Sequence, residues 1–159
     1  SNGALETEIE AQKSAGKVWQ LILPRYGFGA VDEKTSIQVK VTAIHSKVSL
    51  ISMLAPSPDW FVGVDSHELC ENGRWREAWH VITLLPYDSG TDSGSQFIGR
   101  DQETVPPMPI FRINNTMNGV FKANESIKSL GEFRFKLQEE MENSIVVIVT
   151  VASILAFFF

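Results

Sequence analysis

Three aspartates stand where loops could bring carboxylates together. Asp59 ends the proline-broken stretch "APSPD", while Asp88 and Asp92 lie four residues apart in "YDSGTDSG", just after an apolar run. Grouped carboxylates repel one another unless a cation or a proton neutralises them. Hard cations such as calcium take this chemistry: roughly six to eight oxygen ligands on loops, with backbone carbonyls and water completing the shell. Glycines in the stretch would let carbonyls turn inward. The same residues also make ordinary solvated turns, because Asp, Ser and Gly satisfy turn geometry and local hydrogen bonds. An EF-hand does not fit, since the sixth residue counted from Asp88 is Ser93 and the twelfth is Gly99.

Other chemistries find less support. His67 and Cys70 are three residues apart, but Cys70 is the only cysteine and no second soft pair follows, which argues against zinc and against an internal disulfide framework. His45 and His80 fall in strand-like segments and read as packing or surface residues. There is no G-x-S-x-G, so a Ser-His-Asp hydrolase has no specific footing. A metal-dependent hydrolase built on the same aspartates remains the rival from the enzyme class, and a non-enzymatic module is preferred. Gly27 and Gly29 lack the third glycine of a dinucleotide loop and read as a turn. Sequons occur at Asn114 ("NNT") and Asn124 ("NES").

The chain of 159 residues suits one domain, and 43% hydrophobic residues with four tryptophans point to a packed core. The net charge of -5 and scattered Lys and Arg give no footprint for nucleic acid. The polar opening "SNGALETEIEAQ" is neither a signal peptide nor an initiator segment and reads as a mature end or a fragment.

The elements that must position the aspartates read mostly as strands. Residues 5–22 predict one helix of modest amphipathicity, stopped by Pro24. From Thr35, "TSIQVKV" alternates Ile37, Val39 and Val41 against Gln38 and Lys40; "SKVSLISML" repeats the period of two. "WFVGVDS" is a further strand, "ENGRW" a hairpin turn at Asn72 and Gly73, and "EAWHVITLLP" a strand carrying Trp79, Val81, Thr83 and Leu85 on one face. "SQFIG", "PIFRI" and "EFRFKLQ" follow as strand candidates. Many short strands between Pro and Gly turns predict an all-β antiparallel sandwich with a minor helix. The uncharged run from Ile145 to Phe159 spans about 23 Å as a helix, short of a bilayer core of ~30 Å. Residues 143–159 therefore read as an apolar tail, either an anchor-addition signal or a membrane segment, with a last buried strand as the other reading.

With "SPDWFVGVDSHELC", "GRWRE" and "LLPYDSGTDSG" in this order, the sequence resembles the spondin domain family, most closely its mindin-like members, over about Thr35 to Val105. The resemblance implies an extracellular, secreted or cell-surface β-sandwich over residues 1–142, entered part-way into the family's domain. It implies adhesion and recognition, with integrin-like receptors or microbial and matrix glycans as partners and a link to innate immunity. The family's calcium ligands correspond to Asp59, Asp88 and Asp92. Two departures stand out. Lys40 occupies a position near which mindin-like relatives carry an acidic residue, and it would weaken or abolish a divalent cation site, which keeps a truncated spondin copy that no longer binds calcium as a further alternative. The upstream cysteine that can pair with that of "ELC" is missing, which leaves Cys70 unpaired.

Overall fold

The structure is a computed structural model that describes residues 3–23, 34–76, 80–122, 126–127, 129–141 and 144–152. Among the described residues a helix, α1 (Gly3–Ser14), precedes ten strands: β1 (Lys34–Val41), β2 (Lys47–Met53), β3 (Trp60–Glu68), β4 (Cys70–Glu71), β5 (Arg74–Trp75), β6 (His80–Leu84), β7 (Tyr87–Asp88), β8 (Phe111–Arg112), β9 (Gly131–Met141) and β10 (Ser144–Ala152). They form two four-stranded antiparallel sheets, β1-β10-β9-β6 and β2-β3-β7-β8, with β4-β5 as a separate hairpin. One buried cluster draws on both sheets: Val39, Val41, Phe133, Phe135, Val147 and Val149 from the first, Val48, Trp60 and Val62 from the second. Burying each such large apolar side chain contributes about 1.5–3 kcal/mol. The expected all-β sandwich with a minor helix is the fold observed.

Several expectations need correction. The helix ends at Ser14, eight residues before Ile22. Gly16 adopts φ 71°, its N–H donates to the Lys13 carbonyl and the Lys17 N–H to that of Gln12, both at 2.9 Å. This paired closure around a left-handed glycine terminates a helix. "SQFIG" is not a strand; Phe97 instead packs edge-on against Trp60 and Phe121. In β6 the inward face is His80, Ile82 and Leu84, while Val81 is 52% exposed. Both faces of that segment are apolar, so pairing decides between them: Ile82 lies opposite Phe133 and His80 opposite Phe135 in β9. At the "ENGRW" hairpin, Asn72 and Gly73 have φ 52° and 74°, the positive pair such a two-residue turn requires.

Within the apolar run, Ser144–Ala152 form β10, inserted between β1 and β9. Its Val147 and Val149 are buried, and on the outer face Thr150 meets Ser36 at 2.9 Å. A boundary at 142/143 thus falls between two paired strands, and residues 153–159 lie outside the described ones. No helix among the described residues is long and apolar enough to cross a membrane.

Candidate functional site

Asp59 is brought to the turn after Asp88 because β3 and β7 are neighbours. Trp60 lies opposite Asp88 in their ladder, so the residue preceding β3 stands beside the end of β7. The β2–β3 connection is held by the Leu54 N–H on the Trp60 carbonyl at 3.0 Å and by the Trp60 N–H on Ser57 Oγ at 3.2 Å. Asp59 Oδ2 then organises the facing turn. It accepts from Ser89 Oγ (2.8 Å), the Thr91 N–H (2.7 Å), Thr91 Oγ1 (3.0 Å) and the Asp92 N–H (2.9 Å). All four bonds go to one oxygen. The other, Oδ1, is buried and has no hydrogen-bond partner among the described residues.

Asp88 is buried, and its Oδ1 accepts the Gly90 N–H at 2.8 Å. Burial pushes its carboxyl above the ordinary carboxylate range, and the charges of Asp59 and Asp92 push the same way against the Gly90 and Trp60 hydrogen bonds. Asp92 behaves differently. Its Oδ1 takes the Gly94 N–H at 2.6 Å and its Oδ2 the Gln102 N–H at 2.9 Å. These bonds, that of Gln102 foremost, hold its carboxyl below the usual range, and a hydrogen bond with Asp92 raises that of Asp101.

The turn is fastened from outside by the 102–108 segment, through the Ser93 N–H on the Gln102 carbonyl, Thr104 N–H on Thr91 and Met108 N–H on Gly90. Gly90, at φ 77°, is required: a Cβ there would lie 2.2 Å from the Met108 carbonyl oxygen. Its own carbonyl is taken by Met108 and does not turn inward, contrary to the sequence expectation.

The three aspartates therefore share a region without forming a cage. Among the described residues, no three His, Cys, Asp or Glu side chains are gathered to hold a metal ion. Asp59 is engaged by the 89–92 turn, the buried Asp88 accepts from Gly90, and Asp92 is turned to Gly94 and Gln102. The donor set still suits a hard cation, because a buried carboxylate oxygen without a proton donor is costly and a cation would satisfy it. Ser89, Thr91 and Gln102 were not singled out from sequence; the hydroxyls between the two aspartates of "DSGTD" were the available signal.

Of the remaining candidates, Lys40 is exposed on edge strand β1, its N–H on Gln20 Oε1 at 3.3 Å. Cys70 is a free thiol in β4. His45 ties the chain after α1, with Nε2 2.9 Å from the Gly16 carbonyl and its ring 5.7 Å from that of Trp19. Asn114 is exposed, and its Oδ1 accepts from the Thr116 N–H and Oγ1 at 3.0 and 2.6 Å; Asn124 lies outside the described residues.

The Spondin_N family profile matches residues 1–126. Human Spondin-2 is 41% identical over 116 residues, 71% of this chain and 34% of the relative. Rat Spondin-2 is 44% identical over 106 residues, 65% of this chain and 31% of the relative. Chicken Spondin-1 is 41% identical over 59 residues, 37% of this chain and 7% of the relative. The chain thus spans about a third of the Spondin-2 length. With a match over most of its length and the aspartate turn inside the matched region, the chain belongs to the Spondin_N family.

Proposed function

We propose that this chain is a secreted or cell-surface recognition module of spondin type whose loop end is ordered by a calcium ion. Asp59 and Asp88 hold the ion, Asp92 contributes as the third carboxylate, and backbone carbonyls and water fill the remaining positions. The buried Asp59 Oδ1, without a hydrogen-bond partner among the described residues, carries this reading, supported by the raised carboxyl of Asp88, which burial foremost and then the charges of Asp59 and Asp92 push up. Bound calcium supplies positive charge that removes this repulsion and stiffens the 89–94 turn. The rigid end then presents a surface to integrin-like receptors or to microbial or matrix glycans, and glycans on Asn114 and Asn124 keep their side open to solvent.

A binding role fits better than hydrolysis. The hydroxyls nearest the aspartates, on Ser89 and Thr91, donate to Asp59 Oδ2. His45 lies beside Gly16 and Trp19, and His67 is placed towards the far end of β3.

Melting with calcium or with a chelator tests the metal. Calcium at about a hundred times its Kd should stabilise the parent by about 2.7 kcal/mol and leave Asp59→Asn and Asp88→Asn unmoved. An identical parent midpoint in calcium and chelator would remove the metal from this reading. Receptor or glycan capture that survives chelation would separate recognition from the ion.

A further inference from the structure

A second polar cluster lies where the sheets meet, at the opposite end of β3 from Asp59. His67 projects from β3 and His80 from β6, in different sheets, with ring centroids 5.6 Å apart; the His67 ring lies 4.7 Å from that of Phe135 in β9. Arg76, just after the β4–β5 hairpin, places Nη1 2.9 Å from His80 Nδ1 and Nη2 3.1 Å from Glu71 Oε2. A guanidinium can only donate, so His80 Nδ1 must present its lone pair, and the imidazole is neutral in this arrangement. Among the described residues, His67 Nε2 and Arg76 Nε are buried without hydrogen-bond partners.

We infer that the His67–His80–Arg76 cluster is an acid-released latch, holding the β4–β5 hairpin against the joint between the two sheets at neutral pH and letting it go when the imidazoles protonate. Protonating His80 at Nδ1 sets one N–H against another and expels Arg76, which also carries the contact to Glu71. Protonating His67 adds a further charge beside two cations. Among the described residues, the charged and titratable groups around the joint are Lys47 on β2, opposite Glu68 on β3, then Cys70 and Glu71 on β4, Arg74 on β5, Arg76, and Lys136 on β9, which lines a narrow cleft with Arg76 and His80. Glu71 is 61% exposed at its side chain and is already paired with Arg76, so it offers little compensation.

Burial foremost, and then neighbouring positive charge, holds both imidazoles below the ordinary histidine value, against the opposing pulls of Glu68 on His67 and Glu71 on His80. The unfolded chain therefore binds more protons than the folded one as pH falls through about 6.5, and stability is lost in that direction. The eight residues from Trp60 to His67 extend about 25 Å, so the latch is separate from the aspartate turn.

The test uses the full chain in chelator. Imidazole NMR titration should place both histidines below about 6.5, and amide exchange at Arg76, whose N–H bonds the Leu69 carbonyl at 3.0 Å, should gain roughly tenfold in opening between about pH 7.5 and 5 beyond the intrinsic rate. His80→Gln, with a side-chain oxygen to accept from Arg76 and no titration, should remove the gain. Histidines titrating at or above about 6.5, or hairpin opening that ignores pH, would overturn the latch. So would an undiminished gain in His80→Gln. The parent measurements decide the matter even if the variant does not fold.

Discussion

Strand β3 joins two polar ends that resemble each other in defect and differ in charge. Among the described residues, Asp59 Oδ1 beside its first residue is buried without a donor, and His67 Nε2 near its last is buried without a partner. The first end gathers negative groups, and the buried Asp88 there becomes less favourable as it ionises. The second gathers positive groups and becomes less favourable as they protonate. One β-sandwich thus carries opposite responses to pH on either side of a common core. The lesson concerns supply: a cation can relieve the aspartate end, whereas the histidine end is relieved only by loss of protons.

Experiments can separate the two ends. The largest effect is expected for Gly90→Ala, where a Cβ against the Met108 carbonyl and a left-handed backbone should cost about 3 kcal/mol in denaturant unfolding, with the histidine titrations unchanged. Asp59→Ala removes the acceptor of four bonds in the turn and should cost about 2 kcal/mol in chelator, measured by thermal melting; a neutral result would show that the turn holds itself. Arg76→Ala should cost about 1 kcal/mol near neutral pH and raise the His80 titration, because it removes a neighbouring positive charge; NMR titration of the variant checks the shift.

The smallest effect and the sharpest sign belong to Asp88→Asn. Because the folded protein holds this carboxyl's proton more tightly than the unfolded chain does, stability falls as pH rises from the ordinary carboxylate range through the raised value. Asp88→Asn should therefore melt slightly higher than the parent at neutral pH in chelator and lower in calcium. The same rank order in both buffers would break the proposed link between Asp88 and the ion.

Much of the fold was legible because a period of two survives in single strands: Val39 with Val41 and Phe133 with Phe135 point inward as their alternation demands. Where both faces were apolar, as with Val81 and Ile82, local pattern could not choose and the β9 partner did. The helix ran too long on paper because composition continues past Ser14, whereas the stop lies in the conformation of Gly16. At the site, the placing of Asp59 beside the end of β7 follows from a ladder between residues far apart in sequence; loops meeting at one end of a sandwich allowed for it, and the resemblance of the joined motifs pointed to it. The separate engagement of Asp92 depends on the N–H groups of Gly94 and Gln102, which side-chain identity does not encode. The pairing of His67 with His80 was illegible because the two sit on different sheets.

The position of β10 bears on the order in which the chain can be assembled. Among the described residues β1 pairs only with β10 in its sheet, so Lys34 meets Ala152 across more than 100 residues of intervening sequence. A ribosome adding roughly 5–20 residues per second would leave β1 without its ladder for on the order of 10 s. Closing so long a loop is entropically slow and places the final zipping of this sheet late in folding. During that interval β1 is an open template, and a second nascent copy that reaches it first would receive the strand meant to complete the fold.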